Sequence, residues 1–447
     1  MSKKKSRSRK LSRKIKFEPS KEKLISQAGL IPMVKYAEQI KIDEILSEEL
    51  NHERGANAIY SLIDAIIFSV IGIAGGARSM DGIVRVCADP VLMEASNWKR
   101  VLDPTSLGRI LKESSMKTNI ELENAVHKLR DWAWEYAGKL NEELKLPKKV
   151  MWIDIDSTIK TVFGYQEGVD KGYNPTAKGK LSYHPQLAFC SHTKEIIQGW
   201  LRPGSSYTSN GIVEFYKQLR AQISKQARLV IRADTGYFNG DFLDECDAQN
   251  DGYLIKVKLK NLTSLLVGQT WTKIDGQAGW EQASFEYQCG TWGKSRPFLA
   301  VRRKKKSTPT ADTLLEIPEY DYFCYVTTEE LTPWQAHKSY GKRATCETWI
   351  EECKNQTAMA AIKTSSFWAN STLFQSTILA YNLYRWMGLA SGDPTLQKME
   401  PATARCFLVR VAGKLLTGSN QLRIATAPHH IYPECWRSWL RVAGIAA

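Results

Sequence analysis

Residues 150–162, VMWIDIDSTIKTV, constrain the fold more than any other stretch of the chain. Their β-branched and aromatic side chains suit a pleated, buried strand. Asp154 and Asp156 are two residues apart, so a strand places both carboxylates on one face. A buried strand does not carry two carboxylates without a cation. The remaining sequence can be searched for groups that would supply or hold one.

This stretch follows a change of periodicity. Between residues 32 and 137 the apolar spacing is helical, with segments at 40–50, 59–73, 80–86 and 118–136. Within it TSLGRILKESS, opened by Pro104 and Thr105, reads as a short helix carrying Arg109 and Lys112. A helix-turn-helix reader and a plain all-helical packing domain both fit. The lack of a sharp helix-turn-helix spacing favours the second. Residues 145–149, around Pro147, mark the boundary to the next unit.

Beyond the boundary, strands are expected at 150–162, 181–190 and 195–201, the last closed by Pro203 and Gly204. An amphipathic helix over 210–226 leads to the apolar run LVIRA at 229–233, which ends at Asp234. TGYFNGDF then turns into a helix reaching residue 250, and GYLIKVKL at 252–259 is another strand. The class is therefore α/β: a mixed sheet with flanking helices. Three strands followed by helix, strand, helix, strand is the layout of the ribonuclease H-like fold. In that fold, carboxylates of the first and fourth strands converge near a third on a helix. A lone Asp at a strand end is ordinarily a cap or turn residue, so the third acid matters.

Residues 340–354, YGKRATCETWIEECK, supply it. Wound as one helix, they place Tyr340, Arg343, Glu347 and Lys354 in a single stripe. A carboxylate, two cations and a phenol make a poor core and a good polyanion site. Glu351 projects close to the same stripe, where it reads as an ion-pair partner for nearby cations. The chain has 62 Lys and Arg against 47 Asp and Glu, a net charge of +15. That excess favours a polyanionic partner, nucleic acid or an anionic membrane, without choosing between them. The basic run at 3–16 reads as a solvated tail or as an arm laid along phosphates. The one apolar membrane candidate, 59–74, is interrupted by Asp64 and is shorter than the roughly 20 residues a span requires, so a buried helix is expected. No apolar stretch of a signal peptide follows the basic start. Nine Cys without a CxxC pair or zinc spacing indicate neither a disulfide framework nor a structural metal, and fit a reducing interior.

Between residues 260 and 327, strand-like runs at 271–274, 280–287, 297–301 and 320–326 alternate with Gly-rich turns. RRKKK at 302–306, with Arg302, Arg303 and Lys304, reads as a phosphate clamp or a solvated hairpin tip. Residues 372–387 form an apolar helix in which Asn382 is a candidate buried hydrogen-bonder. The tail continues through a turn at 391–394 and a helix at 402–416. His429 and His430, near Cys435, lack a convincing metal geometry.

Tyr340, Arg343, Glu347 and Lys354 match, at every spacing, the Tyr-x2-Arg-x3-Glu-x6-Lys signature of bacterial insertion-sequence transposases of the DDE class. DIDST at 154–158, GYNPTAKGKLSYHP at 172–185, RADTGY at 232–237, ADP at 88–90 and PTSLGR at 104–109 also resemble that group, over about residues 59–387. The resemblance implies an enzyme that cleaves double-stranded DNA at the ends of its mobile element and joins the 3′-OH ends to target DNA. It implies two Mg²⁺ ions, replaceable by Mn²⁺, roughly 3.5–4 Å apart. Asp156 would bridge them while Asp234 and Glu347 each complete one side. Asp154 is the alternative first ligand; the signature favours Asp156, which precedes the small hydroxylated Ser157, and its spacing favours Glu347 over Glu351.

Arg343 and Lys354 would contact phosphates, and Tyr340 the backbone of the same strand. Without acidic partners, these residues read instead as a solvated helix face with an Arg343–Glu347 pair. The segment 261–327 resembles the β-rich insertion of related transposases, in which an aromatic residue can stack on a flipped base. Trp271, Trp280 and Trp292 are candidates for that role, or core residues. The expected organisation is a basic flexible arm (1–30), an all-helical N-terminal DNA-binding domain (31–147), a ribonuclease H-like core (148–260 and 328–390) interrupted by the insertion, and a C-terminal helical region (391–447). A homodimer in the DNA complex, a cytoplasmic, nucleoid-associated location and no membrane contact are expected. A catalytically silent relative that occupies terminal repeats is the main alternative. A structure-selective nuclease on the same fold is another, although it has no reason for the Tyr-Arg-Glu-Lys helix.

Overall fold

The computed structural model describes residues 15–175, 177–290, 292–305, 319–361, 364–416, 418 and 421–446. Nearly all of the basic arm at 3–16, and Lys306 of the RRKKK run, lie outside the described residues.

Seven helices open the chain: α1 (Leu30–Gln39), α2 (Ile42–Glu49), α3 (Leu62–Ala74), α4 (Met80–Cys87), α5 (Pro90–Ala95), α6 (Pro104–Leu111) and α7 (Met116–Leu140). Their starts follow local chemistry. Asp89 and Asp103 each accept two backbone N–H bonds ahead of a proline at the first helical position. Asp64, the charge that interrupts the apolar run, closes a capping box with Ser61 and starts α3. That helix is almost wholly buried. Among the described residues, no helix is long and apolar enough to cross a membrane.

A nine-stranded sheet follows. Its strands are β1 (Val150–Ser157), β2 (Gln186–Cys190), β3 (Ile196–Trp200), β4 (Arg228–Ala233), β5 (Gly252–Lys256), β6 (Thr272–Lys273), β7 (Trp280–Tyr287), β8 (Arg296–Lys304) and β9 (Tyr320–Thr327). The spatial order is β6-β7-β8-β9-β5-β4-β1-β2-β3. β1, β4 and β5 run parallel, joined through α8 (Ile212–Ala221) and α9 (Gly240–Ala248), as parallel neighbours require. The remaining neighbours are antiparallel.

The longer of the last helices are α10 (Pro333–Gly341), α11 (Ala344–Glu351), α12 (Phe367–Ser391) and α13 (Pro433–Val442). All residues of α12 from Ala369 to Ser391 are buried. It lies between the N-terminal helices α3 and α7 and the edge strand β3. Asn382 serves that edge as expected: its carbonyl accepts from the Ile196 N–H at 2.9 Å and its amide donates to the Ile196 carbonyl at 2.8 Å. The buried Glu195 carboxylate accepts from the indoles of Trp134 on α7 (2.8 Å) and Trp386 on α12. Bundle and sheet therefore share one continuous hydrophobic core.

Several elements differ from expectation. The strand expected over 150–162 ends at Ser157, and the one over 181–190 is two. Leu181–Tyr183 joins Lys160–Thr161 and Asp170–Lys171 in a small separate sheet, and β2 begins beyond Pro185, which has no N–H to give a ladder. The insertion's strands, on whose placement the sequence is silent, extend the main sheet outward, because β9 pairs with β5. The C-terminal region is not helical throughout. The helix expected at 402–416 is a short turn, Pro401–Ala404, a π-helical turn, Arg405–Val409, and then a strand, Gly413–Leu416. That strand pairs with Arg423–Thr426 and with Leu24–Ile25, tying the two ends of the chain together.

Candidate active site

The parallel register of β1 and β4 pairs Asp154 with Arg232 and Ile155 with Ala233. One step further along the two strands stand Asp156 and Asp234. Asp156 is buried; its carboxylate accepts from the Ser157 N–H at 2.8 Å and from Arg343 at 2.7 Å. A second guanidinium nitrogen of Arg343 lies 3.6 Å from the Glu347 carboxylate. Arg343 is buried between an inward acid and an outward one, since the Glu347 side chain is 68% exposed. Asp234 is half-buried and accepts from the Gly236 N–H at 2.8 Å. A Cβ at position 236 would meet Thr208 at 2.7 Å, so this tight turn requires glycine.

Burial pushes the Asp156 carboxyl up to about 6, against the pull of Arg343 and with added repulsion from Asp234 and Glu347. The three acids therefore share one electrostatic neighbourhood, and its fixed cation is Arg343. Beside them, His184 lies 3.0 Å from the Ser157 hydroxyl through Nε2 and 2.6 Å from the Ser206 carbonyl through Nδ1. Burial lowers its pKa, so it is neutral, with its proton on Nδ1 toward the carbonyl.

The stretch 340–354 is not one helix. α10 ends at Gly341 and α11 begins at Ala344, joined by a tightened turn with Arg343 N–H to Tyr340 O at 2.8 Å and Cys346 N–H to Arg343 O at 2.8 Å. These three-residue bonds replace the four-residue ladder between the two helices. Each half is anchored separately: Tyr340 packs on Tyr325 of β9 with ring centroids 4.8 Å apart, and Trp349 packs on Phe189 of β2 at 5.8 Å. Burial raises the Tyr340 phenol to about 12. Lys354 lies past α11 in a π-helical turn, Glu352–Gln356. The single stripe of four residues is thus divided over three elements, although Arg343 and Glu347 still meet. Glu351 points outward and is exposed.

Asp154, the alternative first ligand, is already occupied by protein partners. It is fully buried, and both of its oxygens accept from Arg232, at 2.7 and 2.8 Å, while one also accepts from Ser191 at 2.6 Å. Arg302 is held between the rings of Trp271 (4.5 Å) and Tyr320 (4.1 Å) and pairs with Glu281 at 2.5 Å. Arg303 pairs with Asp321 at 3.2 Å, and Lys304 is exposed at the end of β8. Arg109 is exposed on α6. The three tryptophans are half-buried and each has ring or cation partners. Trp271 stacks with Tyr322, Trp280 lies among Phe323, Trp334 and His337, and Trp292 packs on Phe238.

Arg232, Ser191 and His184 were not singled out from the sequence. Arg232 had a legible signal: each strand carries a charged residue two positions before its acid, with opposite signs, in DID and RAD.

Among the described residues, no group of three or more His, Cys, Asp or Glu side chains is close enough to hold a metal ion as it stands. The donor set nevertheless suits a hard cation. Carboxylate oxygens of Asp156 and Glu347 converge on one guanidinium, and the Glu347 side chain is exposed.

Residues 7–443 match the family model described as transposase DDE domain, group 1. No curated protein matches the sequence. Among solved structures, the chain is similar to one in the cryo-EM structure of the piggyBac transposase synaptic complex with hairpin DNA, at 14% identity and a TM-score of 0.38, over 84% of each chain. The family match extends over nearly the whole sequence, and the chain belongs to the group 1 DDE-domain transposases.

Proposed function

We propose that this transposase cleaves double-stranded DNA at the ends of its mobile element and transfers the resulting 3′-OH ends to target DNA. In the first step an oxygen of water bonds to phosphorus, the P–O3′ bond breaks, and the 3′ oxygen leaves with a proton. In the second, that 3′-OH attacks a target phosphodiester in the same way. Asp156, Asp234 and Glu347 would hold two divalent ions, Mg²⁺ for preference, which supply an activated nucleophile and a stabilised leaving oxygen.

The chain's own residues hold and orient the DNA strand. Arg343, now paired with Asp156 and Glu347, is the cation that a phosphate or a metal would draw away from one of its acids. Tyr340 borders the same turn, with its phenol kept protonated as a hydrogen-bond donor at neutral pH. Lys354, Arg303, Lys304 and Arg109 are candidates for backbone contact farther out. The observation that carries this reading is that Asp156 and Asp234 each follow the last residues paired between β1 and β4, with Arg343 reaching from Asp156 to Glu347. The strand order β5-β4-β1-β2-β3 supports a ribonuclease H-like core, and the family supports the reaction class.

The test is incubation of the protein with DNA carrying the element ends and a plasmid target, with and without Mg²⁺. Wild type should nick the ends and join them to the plasmid only with the metal, while Asp234→Ala and Glu347→Ala should bind the ends and do neither. Joining by both variants refutes the mechanism. Tight end binding without nicking by wild type, under Mg²⁺ or Mn²⁺, favours a silent terminal-repeat binder instead.

A further inference from the structure

One guanidinium links the two strands that lead to Asp156 and Asp234 with the helix that precedes the Glu347 helix. Arg232 lies on β4, directly across from Asp154 of β1. Its Nε donates to one Asp154 oxygen at 2.7 Å and one Nη donates to the other at 2.8 Å. The same Nη donates to the Ser191 hydroxyl at 2.6 Å, just past β2. The remaining Nη donates to the Ser339 carbonyl at 2.7 Å. Ser339 is in the last turn of α10, where carbonyls lack partners within their own helix, and it immediately precedes Tyr340 and the turn that leads to the Glu347 helix.

Strand geometry gives this contact its meaning. Side chains two apart share a face, so the Asp154–Arg232 pair lies one pleat before Asp156 and Asp234 on the same side of the sheet. Both members are buried, Asp154 at 0% and Arg232 at 3% exposure. A buried ion pair is weak grounds for stability, because a well-packed apolar pair serves as well or better. An apolar pair cannot hold the end of α10, however.

We propose that Arg232 is a positioning residue: by tying the Ser339 carbonyl to the pleat beneath the two aspartates, it fixes the turn between α10 and α11 and so the approach of Glu347. Its importance for cleavage rests on the function proposed above. Its effect on the turn does not.

The experiment compares wild type with the apolar double variant Asp154→Leu/Arg232→Met and with Arg232→Lys, which keeps a charge beside Asp154 but cannot span both partners. Amide hydrogen exchange is followed by mass spectrometry, together with thermal unfolding, binding of end DNA and Mg²⁺-dependent nicking. The double variant should unfold near the wild-type temperature and bind DNA as well. Exchange over residues 339–350 should rise by at least about tenfold with β1 and β4 still protected, and nicking should fall roughly 100-fold. Should the double variant not fold, Arg232→Lys carries the comparison and should show the same local rise. Unchanged exchange over 339–350 in a folded variant overturns the proposal, leaving Arg232 as a core ion pair. Unprotected 339–350 in a wild type that never nicks DNA also overturns it. Faster exchange in the variants beside an inactive wild type would uphold the positioning role and refute the reaction.

Discussion

At Asp156, burial and two neighbouring carboxylates oppose a charge that Arg343 favours, and the outcome is a carboxyl near 6 rather than the ordinary 3.8. The folded chain therefore holds a proton between about pH 4 and 6 that the unfolded chain has already released. Stability falls as pH rises through that window and stays lower above it. Asp156→Asn, which resembles the protonated form, should unfold at the wild-type temperature near pH 4. At pH 7 to 8 it should be more stable by on the order of 2 kcal/mol, as measured by calorimetry across the range. Parallel pH profiles for the two proteins would contradict this reading of the site. Candidate residues were legible from strand pattern and from the signature's spacing, which select Asp156, Asp234 and Glu347 as the proposed ligands; Arg343 lies between two of them. The pairing of Asp154 was not legible, because its partner Arg232 lies 78 positions away and only the sheet register makes them neighbours.

At the scale of elements, local chemistry was read well where one segment suffices, and poorly where packing decides. Caps and prolines mark α3, α5 and α6 in the sequence. The break at 342–343 is marked only by Gly341, while the spacing of Tyr340, Arg343 and Glu347 suits a continuous helix; the two halves dock on different strands. The strand Gly413–Leu416 was likewise read as helix, since its partner Leu24–Ile25 is at the far end of the chain. Asn382 shows how an element secures the sheet edge. Replacing it by Ala strands the Ile196 N–H and carbonyl together in a dry interface. Asn382→Ala should therefore lose about 2–4 kcal/mol in urea unfolding with an unchanged slope. A loss below about 1 kcal/mol would mean that water takes over both bonds.

At the scale of the molecule, the N-terminal helices, α12 and the sheet share one core, with the two chain ends joined in a small sheet. The α/β class and the strand sequence were foreseeable from periodicity. The addition of the insertion to the main sheet was not, because nothing in an isolated hairpin says which edge it will join. In the proposed function two strand ends and the helix α11 supply the three acids, and the most direct test is whether a metal ion finds all three. Ferrous iron bound at a Mg²⁺ site cuts the nearby backbone when peroxide and ascorbate are added. The protein should be cut beside Asp156, Asp234 and Glu347 together, with all three cuts suppressed by excess Mg²⁺ and by Asp234→Ala. Cuts that spare the Glu347 region, or that persist in Asp234→Ala, would contradict a shared three-carboxylate site.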